Sequence, residues 1–133
     1  VEEHAIKSAE ELKKSISALQ QREGDALFHV PDDLMEGQAD FIFEVARQKG
    51  LPTMFNEESW VLKGGLAGYG PNYYQMGRQG ARVADKILKG AQPKDLPVER
   101  ASKFDLVINL RTANAIGITI PPEVLKRADR VIR

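Results

Sequence analysis

No cysteine occurs among the 133 residues, which excludes disulfides and thiolate-based metal sites and leaves the redox compartment open. Net charge is also missing. Nineteen basic residues balance nineteen acidic ones, so no overall field recruits nucleic acid or an anionic membrane surface. No apolar run approaches the roughly eighteen residues of a membrane-spanning helix. Internal repeats and low-complexity segments are lacking as well. Only two histidines are present: His4, which has no partner at ligand spacing, and His29, which sits inside an apolar run and suits a core position better than a metal. No spacing of residues predicts a metal or any other cofactor.

What is present is typical of a folded domain. A hydrophobic content of 42% and a charged content of 29% suit one domain with a real core. The chain starts at Val1 in what reads as mid-strand, with no initiator Met or signal peptide, so a processed or truncated chain is expected.

Val1–Ile6 alternates weakly, as a strand would. Ser8 and Glu11 form a capping box, in which Ser8 takes the amide of Glu11 and Glu11 reaches back to Ser8. Leu12, Ile16 and Leu19 recur behind it at helical spacing, and Gly24 stands where a C-terminal cap belongs. Asp25–Val30 reads as a strand covered on both faces. Asp33 and Glu36 signal a second helix, with Ile42, Val45 and Ala46 facing inward and a stop at Gly50. Leu51–Asn56 is the next strand, followed by a short helical turn from Glu57.

Leu66–Tyr69 reads as another strand, and Asn72–Lys89 as a helix with Tyr73, Met76, Gly80, Ala84, Ile87 and Leu88 on one stripe. Ala91–Arg100, with Pro93 and Pro97, is an extended connector. Phe104–Leu110 alternates as a strand, and a last helix is expected from Pro122 to Ile132. Strands alternating with helices predict an α/β layer structure with a mostly parallel sheet.

In such sheets ligands bind beyond the carboxyl ends of strands. Three ends qualify: Pro31-Asp32-Asp33, Asn56-Glu57-Glu58 and Tyr69-Gly70-Pro71-Asn72. Their carboxylates, amide, rings and helix-start amides suit a small zwitterion. Each element also has a plainer reading. Asp33 and Glu36 cap a helix, Glu57 and Glu58 complement a helix dipole, and Tyr73 packs in the core. Tyr69 is better placed for binding, because a glycine on each side lets the backbone approach a ligand closely.

The glycines from Gly64 to Gly70 do not make a dinucleotide fingerprint, since they precede and span a strand instead of joining strand to helix. No nucleophile–base pair is legible. A glycosidase-type carboxylate pair, Asp33 with Glu58, keeps an enzyme as the third-ranked reading.

The run GGLAGYGPNYYQMGRQGARVADKILKGAQPKDLPVE, followed by KFDLVINLRTANAIGITIPPEVLKRADRVI, closely resembles the C-terminal part of a bacterial ABC-transporter substrate-binding family that includes the tryptophan/aromatic amino-acid-binding type. The likeness covers residues 25–133 well and the first 24 less distinctively. It implies a type I periplasmic-binding fold, an α/β lobe with helices on both faces of a mostly parallel sheet. Residues 1–133 would form the C-terminal half of a two-lobe protein. Residues 1–65 and about 98–120 belong to the C-terminal lobe on this reading, and about 66–92 return to the N-terminal lobe.

The resemblance further implies a non-enzymatic solute-binding component of an ABC importer, with a small molecule, an amino acid among the candidates, held by lobe closure. An extracellular sensory domain of a signalling protein is the alternative. Implied ligand contacts fall on Asp32, Asp33, Asn56, Glu57, Glu58, Tyr69 and Gly70. One departure is visible: the amino-acid-binding type carries hydroxyl and amide residues where this chain has Pro31-Asp32-Asp33. Implied partners are the ligand and the transporter permease, with a homodimer or swapped dimer of this half expected if the other lobe is missing. The implied location is periplasmic, or extracellular with a lipid anchor.

Overall fold

The computed structural model describes residues 4–19, 25–28 and 32–133. Five strands form one sheet in the order β1-β2-β3-β4-β5: Leu27–Phe28, Thr53–Phe55, Ala67–Pro71, Phe104–Asn109 and Arg130–Ile132. All neighbours pair in parallel except β3 and β4, which run antiparallel with Gly68 opposite Val107 and Tyr69 opposite Leu106. The mostly parallel α/β lobe expected from the alternation is therefore present.

Helix α1 (Ala9–Ala18) begins as the capping box predicts, with one change of partner. Ser8 Oγ accepts from the Glu11 amide at 3.2 Å, while the Glu11 carboxylate reaches the Lys7 amide at 2.8 Å instead of that of Ser8. The helix stops at Ala18, where the Lys49 ammonium donates to the carbonyls of Ser17 (2.9 Å) and Leu19 (2.6 Å). A lysine from another element thus satisfies end carbonyls that a helix cannot pair itself. The expected cap at Gly24, the first three residues of the Val1–Ile6 strand, and His29 to Pro31 lie outside the described residues; His4–Lys7 joins no strand.

The second expected helix is two helices, α2 (Asp33–Glu36) and α3 (Ala39–Gln48). Asp32, not Asp33, supplies the cap, accepting the Met35 amide at 3.1 Å. The break falls at Gly37, a poor helix former, where the Gln38 amide closes a tight turn onto Met35 O at 3.0 Å. Ile42, Val45 and Ala46 are buried as their spacing predicts.

Helix α4 (Glu58–Leu62) lies directly on β3, and glycine makes that possible. A Cβ on Gly70 would stand 1.6 Å from the Asn56 carbonyl oxygen, and one on Gly68 would stand 2.7 Å from Val61 Cγ2. At Gly65 it would meet the Phe55 ring at 2.6 Å. Phe55 and Trp60 stack beneath at 5.0 Å, and Phe43 meets both rings edge-on at 5.7 and 5.8 Å. With Leu12, Ile16 and Ile42 these rings form the core between the sheet and α1, α3 and α4.

Asn109 ties the far side of this packing. Its side chain donates to Val61 O at 3.1 Å and accepts from the amides of Arg111 and Thr112, capping α6 (Leu110–Ala115). Helix α7 (Pro122–Arg127) is shorter than expected, because Arg130–Ile132 pairs with the open edge of β4 as a strand. Asp129 fixes that register: its amide donates to Leu106 O and its carboxylate accepts from the Leu106 amide, both at 2.9 Å.

Helix α5 (Tyr73–Leu88) follows β3 and buries none of its residues. Tyr73, Met76 and Ile87 are 54%, 38% and 39% exposed, so the stripe expected to pack inward faces solvent here.

Replacing Gly70 by alanine should destabilise the chain by about 2–3 kcal/mol or prevent folding, since backbone must move to admit the methyl group. Urea unfolding monitored by circular dichroism checks this; a midpoint within error of the parent chain would show that the seat of α4 is not tight.

Candidate functional site

Because β1, β2 and β3 are parallel, their carboxyl ends open on one edge of the sheet, where the predicted loops Asn56-Glu57-Glu58 and Tyr69-Gly70-Pro71-Asn72 lie; Pro31 of the third loop is outside the described residues. The structure brings part of the set together. A cleft of about 270 Å³ is lined by Glu57, Glu58, Gly70, Asn72, Tyr73 and Asp105, among others. Its walls are the start of α4, the end of β3, and the first turn of α5.

Glu57 is the N-cap residue of α4 without a capping side-chain bond, and its carboxylate instead accepts the Ser59 hydroxyl at 2.6 Å. Glu58 is bound to the guanidinium of Arg130 on β5. Gly70 is buried against the Asn56 backbone, so the close approach that its lack of a side chain allows is to protein. The Asn56 carboxamide oxygen is buried without a hydrogen-bond partner among the described residues. Such an oxygen costs stability unless something donates to it.

Asp32 and Asp33 stand outside the cleft lining at the start of α2, Asp32 as its cap and Asp33 as its first residue. Tyr69 points to the opposite face from Gly68 and Gly70, where it is 53% exposed and stacks on Phe104 at 5.7 Å.

Three side chains outside the predicted set shape the junction. Asn72 caps α5 by accepting the Gln75 amide at 2.9 Å, its own amide donates to Lys103 O at 2.9 Å, and its Nδ2 donates to Asp105 Oδ2. Lys103 Nζ lies 2.8 Å from Asp105 Oδ1. The Lys103 ammonium, and then the Asn72 amide, hold the Asp105 carboxyl below the usual carboxylate range. Asp105 in turn raises Lys103 above the usual lysine range. The alternation of Phe104, Leu106 and Ile108 gives no signal for Asp105, whose inward face follows from its register opposite Gly70 and whose partner Asn72 stands thirty-three residues earlier.

The arrangement contains carboxylates, a helix start and tyrosine rings around a cleft. Among the described residues, no group of three or more His, Asp or Glu side chains is placed to hold a metal ion. No helix among them is long and apolar enough to cross a membrane. The cleft lies at the strand ends of an α/β lobe.

The chain belongs to the ABC transporter substrate binding protein family, whose model matches residues 1–132. A tyrosine-binding protein of Clostridioides difficile is 28% identical over 118 residues, covering 89% of this chain and 34% of that protein. Among solved structures, a Streptococcus ABC domain in complex with L-Trp superposes with a TM-score of 0.82 at 28% identity, over 97% of this chain and 43% of that one. A Vibrio cholerae conserved domain protein gives 0.80 at 31% identity, over 93% and 42%. A ligand-free, open substrate-binding protein with adhesive properties from Clostridium difficile gives 0.71 at 28% identity, over 96% and 42%. The chain thus spans about a third of the tyrosine-binding protein and less than half of each solved chain.

The Asp105–Lys103 pair sets a two-sided pH dependence. A depressed Asp105 contributes stability that is fully present above the ordinary carboxylate value, near ~3.9, and is lost as pH falls through the lower folded value. A raised Lys103 contributes stability that is fully present below ~10.4 and is lost as pH rises through the higher folded value. Asp105→Asn should therefore flatten both limbs of a plot of melting temperature against pH. Limbs as steep as those of the parent would show that the pair does not contribute.

Proposed function

We propose that this chain is the C-terminal half of the solute-binding component of an ABC importer, and that it holds one side of a small molecule which a second lobe encloses. The observation that carries the reading is the position of the cleft. It lies where β3 and β4 leave the sheet for α5, an amphipathic helix that buries nothing of its own. A sixteen-residue helix with an apolar stripe is stable in a protein chiefly through packing of that stripe.

On this reading residues 1–65 and about 98–120 belong to one lobe, while about 66–92 return to the other, with β3 and β4 as crossing strands. Glu57, Glu58 and Gly70 line the ligand cleft with Asn72, Tyr73 and Asp105; the Asn56 backbone lies against Gly70; Asp32, Asp33 and Tyr69 stand at the same sheet edge. Ligand contacts from both lobes favour the closed state, which the permease recognises. No bond is made or broken. The place of action is the periplasm, or the outer surface of a cell through a lipid anchor. The ligands named for the relatives make an aromatic amino acid the first solute to test.

Isothermal calorimetry of the full-length protein should show L-Trp or L-Tyr binding with a Kd on the order of 1 μM or tighter. Binding should be accompanied by a smaller radius of gyration in X-ray scattering. Heat without compaction would remove lobe closure, and silence across a panel of amino acids and other small solutes would remove the binding reading. The 133-residue chain alone should bind the same solute at least about a hundredfold more weakly, because half the contacts are missing. Equal affinity would show that the site is complete in this half.

A further inference from the structure

At the opposite edge of the sheet, where β2 and β3 begin, a second depression of about 340 Å³ lies between α3 and α6. It shares no lining residue with the ligand cleft. Its apolar part is built from Phe43, Leu51 and Ile116. Gly64 lies alongside, and a Cβ there would rest 3.8 Å from Phe43 Cγ; without one, the space beside the ring stays open.

The charges around this apolar floor do not cancel. Glu44 is consumed locally, with one carboxylate oxygen 2.9 Å from Arg47 and 2.6 Å from Gln48 Nε2. That pairing holds its carboxyl below the usual range. Arg111 is anchored by a 2.7 Å bond from Nε to the Arg133 carbonyl, and its terminal nitrogens have no acceptor among the described residues. Lys63 stands 6.0 Å from the Trp60 ring centroid and has no acidic partner among those residues. Asp40 is the remaining acid in the lining. Two cations face one carboxylate, so the depression carries a positive excess beside an aromatic surface.

We propose that this depression is a second ligand site, separate from the solute cleft, that takes a small apolar monocarboxylate. The carboxylate lies between Arg111 and Lys63, and the apolar group lies on Phe43. Arginine is suited to this role because its fork matches a carboxylate and its charge is permanent. Asp40 disfavours a second negative charge, which selects monocarboxylates over dicarboxylates.

Phenylacetate is the probe and phenylacetamide its neutral control, each titrated into full-length ¹⁵N-labelled protein. Phenylacetate should shift the amides of Gly64, Arg111, Thr112 and Ile116 saturably, with a Kd on the order of 1 mM. Phenylacetamide should bind at least about tenfold more weakly, as should phenylacetate to the Lys63→Gln, Arg111→Gln double variant. Equal affinity for acid and amide overturns the proposal, as does unchanged affinity in the variant. Shifts centred on Gly70, Asn72 and Asp105 also overturn it, because they place the acid in the solute cleft. Should the variant fail to fold, the acid–amide comparison on the parent protein still decides. Since the reporting amides lie at the other end of the sheet, failure here leaves the solute-binding reading intact.

Discussion

The contact on which this lobe depends is the seating of α4 against a strand that has no side chains on that face. Gly68 and Gly70 leave that face of β3 bare, and the turn after β2 comes down onto it until the Asn56 carbonyl occupies the place of a Gly70 side chain. That approach sets where Glu57 and Glu58 stand relative to β3, and so the width of the cleft between them and Asn72. It also presses Val61 and Trp60 into the core, where the three stacked and edge-on rings supply apolar burial. Exposed ion pairs such as Lys89–Asp85 add little by comparison, because water and salt screen them.

The second constraint is the junction at which β3 and β4 meet α5. Asn72 uses its backbone amide, its side-chain oxygen and its side-chain nitrogen there, each for a different partner. Gln79, two turns along, accepts from the Ser102 amide and hydroxyl and donates to Arg100 O, so the connector is strapped to the helix. Helix and connector are thus tied to each other and joined to the sheet through two adjacent strands.

Much of the fold was legible because local signals and burial agreed. Ser8 with Leu12 and Ile16, and the run Ile42, Val45, Ala46, combined caps or spacing with burial, and each formed as read. Misreadings occurred where a long-range partner outweighed a local preference. The sequence from Pro122 to Ile132 predicts a helix, yet Asp129 and the open edge of β4 draw its last residues into the sheet. Gly37 broke a helix that the apolar spacing carried straight through. The glycines around Tyr69 predict a close approach to a ligand, and in the fold the backbone of Asn56 and Glu57 lies against them.

Legible in the amino-acid sequence were the alternation of strands and helices up to β4, the parallel character of most of the sheet, and the family resemblance. These follow from periodicity, caps and glycine placement, which are properties of neighbouring residues. Only the tertiary structure decided which loop residues share a cleft, that Tyr69 faces away from Gly70, and that Asp105 is held as a carboxylate by Lys103 and Asn72. Those outcomes depend on strand register and on contacts across dozens of residues, and a change of one residue in register turns a side chain to the other face.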